Sequence, residues 1–303
     1  MSPNELNEVL EQTVRRLSEA DSMYGLFYEE MADGTPLPSA PVLAEIVDLC
    51  RAVLFPGFYG KSTLSSKTVP YHIGVNMDRL CHLLTQQVMA GKSLTSDHSP
   101  RREGTKDDGQ CQRMEQAQAI VAEFIKRLPE LRRILATDVE AAYNGDPAAE
   151  SFGEIISCYP VIKALTNYRL AHELIELGVP LIPRIISEMA HSETGIDIHP
   201  AAKIGHHFTI DHGTGVVIGA TCIIGNNVKL YQGVTLGAKS FPLDDDGNPI
   251  KGIPRHPILE DDVVVYANAT ILGRITIGRG SVIGANVWVT EDMEPNSKKY
   301  NKV

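Results

Sequence analysis

The chain has 303 residues, of which 43% are hydrophobic and 22% charged, as expected for a globular protein with a buried core. Its net charge of −10 argues against a broad surface for nucleic acid or for anionic membranes, so neither is expected as a partner. No apolar run approaches membrane-spanning length, and no secretory signal is visible at the N-terminus. Five scattered cysteines without CxxC pairs indicate reduced thiols, which predicts a cytoplasmic protein.

Helical periodicity runs through residues 1–195. Apolar residues recur there every three or four positions, which predicts helices that pack through one apolar face. The first such stripe consists of Leu6, Val9, Leu10, Val14 and Leu17. Further helices are predicted over Glu154–Leu177 and Pro180–Ala190, and the polar segment 93–110 is predicted to be an exposed loop.

A different period begins after Gly195. Aliphatic residues then recur at every sixth position, in three runs: Ile198, Ile204 and Ile210; Ile218, Ile224, Leu230 and Leu236; Leu259, Val265, Ile271, Ile277, Ile283 and Val289. A second small or apolar residue, such as Ala202 or Thr214, stands four positions after most of them. This period is typical of a parallel β-helix, in which three short faces complete a triangular coil of about 18 residues.

The predicted architecture is therefore α+β. A helical N-terminal domain, 1–195, precedes a β-helix domain, 196–292, and a short C-terminal tail, 293–303. The hexad period slips by two residues at "DHGTGV" and stops over residues 237–258, which are predicted to leave the coil as a long loop. Because loops on a rigid scaffold commonly carry functional groups, catalytic and binding residues are expected beside these two interruptions.

His212 lies in the first interruption. Asp197 precedes it by fifteen residues, close to the length of one coil, so the two side chains are predicted to meet on adjacent coils. A carboxylate bonded to one imidazole nitrogen fixes the tautomer and leaves the other nitrogen free to accept a proton. The pair could then act as a general base toward a substrate hydroxyl. A structural histidine that satisfies turn carbonyls explains the spacing equally well.

Arg255 and His256 end the long loop in "RHP". A guanidinium beside an imidazole suits a substrate carboxylate, and an ordinary solvated loop charge is the alternative. His199, in "DIHP", is predicted to cap or brace the first coil. His206 and His207 offer a weaker alternative, a zinc ion held between neighbouring coils or subunits.

Asp146, in "NGDPAAES", stands in a turn before a predicted helix, and its default interpretation is an N-cap. Asp244–Asp246 matches only the start of a calcium-binding loop, because no glutamate stands at the later ligand position. No P-loop is present and no GxGxxG follows a strand. Nucleotide chemistry is therefore not predicted.

Five segments occur with the order and spacing of one enzyme family: "DPAAES", "TGIDIHPAAKIG", "IDHGTGVVIG", "YQGVTLGA" and "RHP". Together they resemble the serine O-acetyltransferases, hexapeptide acyltransferases of cysteine biosynthesis that move acetyl from acetyl-CoA to the hydroxyl of L-serine. The resemblance covers about residues 140–292. It implies a left-handed β-helix, an exception to the right-handed crossover rule, and homotrimers or dimers of trimers with active sites between neighbouring solenoids.

The resemblance also implies roles at the hydroxyl and amino ends of L-serine. By position, His212 is the general base and Asp197 its orienting partner. Asp146 and Asp211 hold the amino group. L-cysteine presents the same amino and carboxylate groups and is the expected feedback inhibitor.

At the other end of the substrate, Arg255 and His256 are implied to hold the carboxylate. Acetyl-CoA, the co-substrate, is implied to run along the solenoid groove near the backbone of four residues: Gly237, Ala238, Ala267 and Ala285. No metal is expected, because neither the base nor the attack on the thioester requires one.

The chain departs from the family pattern in three places. Ala220 follows "VVIG" where glutamate is common, and the loop before "RHP" is longer than the usual glycine-rich form. The C-terminal segment lacks the "GxPA" pattern and ends at Val303 rather than isoleucine. A complex with O-acetylserine sulfhydrylase is therefore expected to be weak or absent.

Three other functions stay open on the sequence. One is a hexapeptide acetyltransferase with a different hydroxyl acceptor, which a panel of acceptors would reveal. Another is a γ-class zinc carbonic anhydrase that uses His206, His207 or His212 and contains zinc. The third is a non-enzymatic solenoid scaffold.

Overall fold

A computed structural model describes residues 3–19, 37–60, 63–93 and 106–301 of the chain. Within these ranges seven helices precede fourteen strands. The helices are α1 Pro3–Leu17, α2 Ala40–Leu54, α3 Val69–Ser93, α4 Lys106–Gly145, α5 Phe152–Cys158, α6 Pro160–Glu176 and α7 Ile182–Thr194. The strands are β1 Asp197–Ile198, β2 Lys203–Ile204, β3 Thr209–Asp211, β4 Val217–Ile218, β5 Ile223–Ile224, β6 Lys229–Tyr231, β7 Thr235–Gly237, β8 Ile258–Leu259, β9 Val264–Val265, β10 Thr270–Leu272, β11 Thr276–Ile277, β12 Val282–Ile283, β13 Trp288–Val289 and β14 Lys298–Lys299.

The helical half is confirmed, with differences at α1, at the predicted polar loop and, as described next, at Tyr159. The stripe on α1 is exposed, with 44% of Leu6 and 73% of Leu17 accessible, so the predicted packing of this helix is wrong within the described chain. Residues 106–110, predicted as loop, belong to α4; residues 94–105 lie outside the described residues. Among the described residues, no helix combines the length and apolar character needed to cross a membrane.

The helix predicted over Glu154–Leu177 is interrupted at Tyr159. Pro160 disfavours a helical backbone in the residue before it, and Tyr159 adopts extended angles, φ −79° and ψ 123°. Tyr159 therefore ends α5 and caps the start of α6. The interruption turns its side chain toward the segment that follows α4, as its hydrogen bond to Asp146 shows.

The strands form three parallel sheets. Sheet 1 has the order β1-β4-β7-β10-β13, sheet 2 the order β2-β5-β8-β11, and sheet 3 the order β3-β6-β9-β12-β14. From β1 to β13 each strand pairs with the third strand along the chain, so every three strands complete one triangular coil. The predicted parallel β-helix is confirmed. Strand β14 pairs with β12, so sheet 3 extends into the segment predicted as a tail.

The register locates both interruptions. Regular coils repeat every eighteen residues, as when Val217 pairs with Thr235. The first coil is two residues longer, since Asp197 pairs with Val217. The coil with the long loop repeats after thirty-five, since Thr235 pairs with Thr270. Both insertions lie between strands, which leaves the pairing of the sheets intact.

Three corners join the sheets. Corner A links sheet 3 to sheet 1 and contains residues 212–216, 232–234, 266–269 and 284–287. Corner B links sheet 1 to sheet 2 and contains 199–202, 219–222, 238–257 and 273–275. Corner C links sheet 2 to sheet 3 and contains 205–208, 225–228, 260–263 and 278–281.

The hexad residues fill the interior of the coil. All of them are buried except Ile204, which is partly exposed and packs against the core. At the second position, Thr214 is exposed and Val216 is buried instead. The two additional residues of corner A fall before this position, so the inward-facing site moves from Thr214 to Val216.

A buried ion pair holds the helices against corner C. Arg169 of α6 donates Nε to Asp138 Oδ2 at 2.7 Å and Nη2 to Asp138 Oδ1 at 2.9 Å. Arg169 Nη2 also donates to the Gly205 carbonyl at 2.8 Å, and the Phe208 amide donates to Asp138 Oδ1 at 3.1 Å. The two charges therefore satisfy each other and the turn of the first coil.

Candidate active site

An exposed imidazole projects from corner A. His212 directly follows β3 and has a left-handed backbone, with φ 59°. Its side chain is 73% exposed, and Nδ1 lies 3.8 Å from Asp211 Oδ1. Gly213 is also left-handed, and any Cβ there would overlap the Ile196 side chain. The enlarged turn thus lies against the start of the solenoid and directs the imidazole outward.

Lys229 connects this corner with the end of α4. Its Nζ donates to the Gly145 carbonyl at 2.6 Å and lies 3.3 Å from Asp211 Oδ2. The same ammonium lies 4.6 Å from the centroid of the Tyr231 ring. Because the side chains of Lys229 and Asp211 are each only 17% exposed, solvent screens this ion pair less than a surface pair.

Asp146 lies beside the same corner. Its Oδ1 accepts the Ala148 amide at 2.8 Å, and its Oδ2 accepts the Tyr159 hydroxyl at 2.6 Å. The Tyr159 hydrogen bond, then the Ala148 amide, hold the pKa of Asp146 below its usual value, with Lys229 and His212 contributing attraction. Ser151, not Asp146, caps α5, so the N-cap interpretation is replaced by a turn that faces the site.

Asp197 is close to corner A but does not bond to His212. Asp197 pairs in register with Val217, just past the corner. Within the described chain no hydrogen bond or ion pair joins its carboxylate to His212, whose nearest acidic partner is Asp211. The Asp197 carboxylate lies instead with Glu188 and His191, the three ligand atoms being within 4.8 Å of one another. Strand pairing between adjacent coils fixes the backbone position of Asp197, whereas its local neighbours determine where its side chain points.

Corner B holds a buried, neutral imidazole. His256 Nδ1 accepts the Thr221 amide at 3.1 Å and lies 2.8 Å from the Thr221 hydroxyl. Burial, then Arg255 and Arg274, lowers the pKa of His256 to about 4, so the ring is neutral at pH 7. Since Nδ1 accepts, the proton resides on Nε2, which can donate. A Cβ at Gly219 would overlap this ring.

Arg255 and His199 complete corner B. The Arg255 guanidinium lies 5.6 Å from the centroid of Phe241 in the long loop, and its Nε is buried without a hydrogen-bond partner. His199 Nδ1 accepts the Ala201 amide at 3.0 Å, so it braces the first coil as predicted. Burial, and then the charge of Arg184, lowers the pKa of His199 to about 4.

The four positions predicted for acetyl-CoA divide between the corners. Ala267 and Ala285 stack in corner A, where the Asn286 amide donates to the Ala267 carbonyl at 2.9 Å. Gly237 ends β7 and Ala238 begins the corner B loop. Sheet 1 separates the two pairs on one solenoid, and it separates His212 from Arg255 in the same way. The residues predicted for L-serine and acetyl-CoA therefore lie at opposite edges of sheet 1.

In the described part of the chain, no cluster of metal-ligating side chains forms at His206 and His207, the residues of the zinc alternative. Among the described residues, the group of three metal-ligating side chains with converging atoms is Glu188, His191 and Asp197. His207 Nε2 lies instead 3.4 Å from Glu140 Oε2, and His206 is exposed.

Sequence reasoning missed Lys229 and Tyr159. Lys229 begins β6 and pairs in register with Thr209, so its place one coil above the "DHGTG" corner was available from the hexad register. Tyr159 precedes Pro160, the residue that interrupts the helix and re-aims the tyrosine. Their partners, Gly145 and Asp146, come from a turn whose position the solenoid pattern does not predict.

The comparisons with known proteins agree on one family. The family model described as "Bacterial transferase hexapeptide (six repeats)" matches residues 256–291. The "Serine acetyltransferase, plasmid" of Synechococcus elongatus is 52% identical to this chain, covering 86% of it and 81% of that protein. The serine acetyltransferase of Bacillus licheniformis is 47% identical over 53% of this chain and 70% of its own length.

Solved structures give the same result. The crystal structure of Entamoeba histolytica serine acetyltransferase 1 in complex with L-cysteine is similar to this chain with a TM-score of 0.70 and 36% sequence identity. The similarity covers 85% of this chain and 86% of that one. With identity and coverage this high in both sequence and structure, the chain belongs to the serine acetyltransferase family.

Proposed function

We propose that this protein transfers the acetyl group of acetyl-CoA to the hydroxyl of L-serine, giving O-acetyl-L-serine and CoA. The observation that carries the proposal is corner A, where the exposed His212 imidazole stands beside the carboxylates of Asp211 and Asp146. A proton acceptor next to two anionic groups suits a substrate that carries a hydroxyl and an ammonium on neighbouring carbons.

The ammonium of L-serine binds between Asp146 and Asp211. Lys229 already occupies one oxygen of Asp211, so the two carboxylates and Lys229 together carry a net charge of −1. The substrate ammonium neutralises this charge, while a neutral sugar hydroxyl does not. The site therefore favours an amino acid as acceptor.

His212 accepts the proton of the serine hydroxyl. Asp197 is its orienting partner in this proposal, and that requires the Asp197 carboxylate to turn from Glu188 and His191 toward the corner. Such a turn is a side-chain rotation on a fixed strand end.

The carboxylate of L-serine binds Arg255 and His256. The neutral His256 donates from Nε2, and Arg255 contributes the positive charge together with its unpartnered Nε. Because corner B lies across sheet 1 from His212, these two residues reach the substrate from a neighbouring solenoid. We propose that the active assembly is the homotrimer, or dimer of trimers, that the family resemblance implies, with one site at each interface.

The reaction then follows without a covalent enzyme intermediate. As His212 takes the hydroxyl proton, the serine oxygen attacks the thioester carbonyl carbon and forms a tetrahedral oxyanion. Collapse of this oxyanion breaks the carbon–sulfur bond. The imidazolium returns its proton to the departing CoA thiolate, which restores the neutral base and balances the reaction.

The remaining partners follow from the same half-sites. Acetyl-CoA runs past Ala267 and Ala285 of one chain and past Gly237 and Ala238 of its neighbour. L-cysteine carries the ammonium and carboxylate of the substrate and competes for both half-sites. We further propose that the enzyme works in the cytoplasm without a metal.

Release of the CoA thiol from acetyl-CoA, with and without L-serine, tests the proposal. Serine-dependent release is expected, and His212→Ala should reduce kcat by about 10²–10⁴-fold. His82→Ala is the matched control, because His82 is an exposed histidine on α3. Release that depends on another hydroxyl compound and not on L-serine would refute the proposed acceptor.

A further inference from the structure

A glutamine in corner A has an unexplained buried oxygen. In the described part of the chain, four buried side-chain polar atoms lack a hydrogen-bond partner: Arg51 Nε, Ser187 Oγ, Gln232 Oε1 and Arg255 Nε. A buried polar atom without a partner costs free energy, so its presence calls for a ligand or another compensation. Of the two solenoid atoms, Arg255 Nε belongs to the proposed carboxylate site, whereas Gln232 Oε1 has no assigned role.

The register places Gln232 between the base and the proposed path of acetyl-CoA. Asp211 pairs with Tyr231, so Gln232 lies one coil above His212. The Asn268 amide donates to the Gln232 carbonyl at 2.9 Å, which sets Ala267 and Asn268 one coil higher. Adjacent strands are about 4.8 Å apart. Gln232 therefore lies between the coil that carries His212 and the coil past which the thioester arm of acetyl-CoA is proposed to run.

The reacting carbonyl must lie at this level. The serine oxygen is within hydrogen-bond reach of His212, and the thioester carbon lies about 3–3.5 Å from that oxygen before attack. The carbonyl oxygen becomes anionic and needs a donor that the general base does not provide. Lys229, the nearby cation, is already engaged by Gly145 and Asp211.

We infer that the Gln232 side-chain amide stabilises the tetrahedral oxyanion, donating Nε2 to the former thioester carbonyl oxygen. A half-turn of the amide exchanges Oε1 and Nε2, so either end can face the substrate. After this half-turn Nε2 occupies the position where Oε1 lies without a partner, and the oxyanion accepts a hydrogen bond from it. This role rests on the proposed function and adds a catalytic residue to it.

Two substitutions separate a donor from other roles. Gln232→Met removes the amide at similar length, and kcat should fall by about 100-fold, the lower end for loss of one oxyanion donor. Gln232→Glu keeps the shape and the acceptor oxygens but loses the donor at neutral pH. Its kcat should fall at least as far, because a carboxylate repels the oxyanion. KM for L-serine should stay within about twofold of wild type in both variants, because the proposed contacts with the ammonium and carboxylate of L-serine do not involve Gln232.

The measurements are kcat and KM for both substrates, with thermal unfolding and the size of the assembly as checks on folding. Gln118→Glu, on an exposed face of α4, is the control for the added charge. A Glu variant with wild-type kcat, or a Met variant that changes only KM for L-serine, overturns the inference by making the amide an acceptor for the ammonium. Wild-type kinetics in both variants overturns it as well. Failure of the wild type to acetylate L-serine refutes the proposed function before any variant is compared.

Discussion

Corner A and corner B flank the same sheet but hold their polar groups in opposite ways. At corner A the His212 ring is 73% exposed and surrounded by carboxylates and an ammonium. At corner B, His199 and His256 are partly or largely buried, and their pKa values fall to about 4. Proton transfer requires an imidazole that can become charged, whereas recognition of a carboxylate is served by donors whose protonation does not change.

Corner C shows a third use of charge. Asp138 and Arg169 are almost fully buried there and bond to each other and to the turn backbone. Their atoms are not available to a ligand. In the proposed function, the same triangular coil thus uses its charges for catalysis at corner A, for substrate binding at corner B and for attachment of the helices at corner C.

The largest effect is expected from separating the two half-sites. His212→Ala and Arg255→Ala should each lower kcat/KM for L-serine, by about 10²–10⁴-fold and at least tenfold respectively. In a cyclic trimer containing both variants, one of the three interfaces joins an intact corner A to an intact corner B, so about one third of wild-type activity should return.

The experiment uses two affinity tags and tandem purification, so that only mixed assemblies are assayed. Each singly tagged variant, purified alone, is the control. Mixed assemblies no more active than these controls would contradict a site built from corner A of one chain and corner B of its neighbour. Both corners of one chain would then belong to the same site.

At corner C, Asp138→Asn should destabilise the protein by about 3–5 kcal/mol, because Arg169 stays buried without its counter-charge. Thermal or denaturant unfolding at fixed protein concentration measures the loss. Glu45→Gln is the matched control, since its pair with Arg79 is exposed and should contribute less than about 1 kcal/mol. Equal effects of the two substitutions would mean that corner C is not structurally special.

Gly219→Ala tests whether the buried histidine of corner B must keep its place. The new Cβ overlaps the His256 ring, so the ring must shift. A higher KM for L-serine is expected, with a stability loss of about 1–3 kcal/mol from overpacking. Gly74→Ala on α3, where a Cβ meets no atom within 4 Å, should neither raise KM for L-serine nor destabilise the protein. An unchanged KM in Gly219→Ala would argue against a role for His256 in carboxylate binding.

The smallest effect is expected at the edge of corner A. Removing the Tyr159 hydroxyl in Tyr159→Phe should raise the pKa of Asp146 toward its ordinary value, because the hydrogen bond that favours the carboxylate is lost. Asp146 then protonates at a higher pH than in the wild type, yet remains ionised at pH 7. An NMR titration of the Asp146 carboxyl measures this, with Tyr71→Phe as control, because Tyr71 is an exposed tyrosine on α3. An unshifted pKa would show that the tyrosine does not hold the carboxylate.

The hexad pattern predicted the solenoid because one aliphatic residue in six must point inward. It predicted Thr214 wrongly, since the two inserted residues move the inward position to Val216. It predicted the backbone closeness of Asp197 and corner A, but not the direction of the Asp197 side chain, which local neighbours decide. The motifs named Asp211 and His212; Lys229 and Tyr159 escaped because their partners lie far away in sequence.

The unequal coil lengths have a consequence for how such a protein changes over time. Each coil contacts only its neighbours, and a turn can gain two residues or seventeen without disturbing the strand pairing above and below it. A change of length at one corner therefore leaves the structure of the other two corners unchanged. If the proposed function holds, the carboxylate-binding residues of corner B can change in evolution while the general base of corner A, at the opposite edge of sheet 1, is kept.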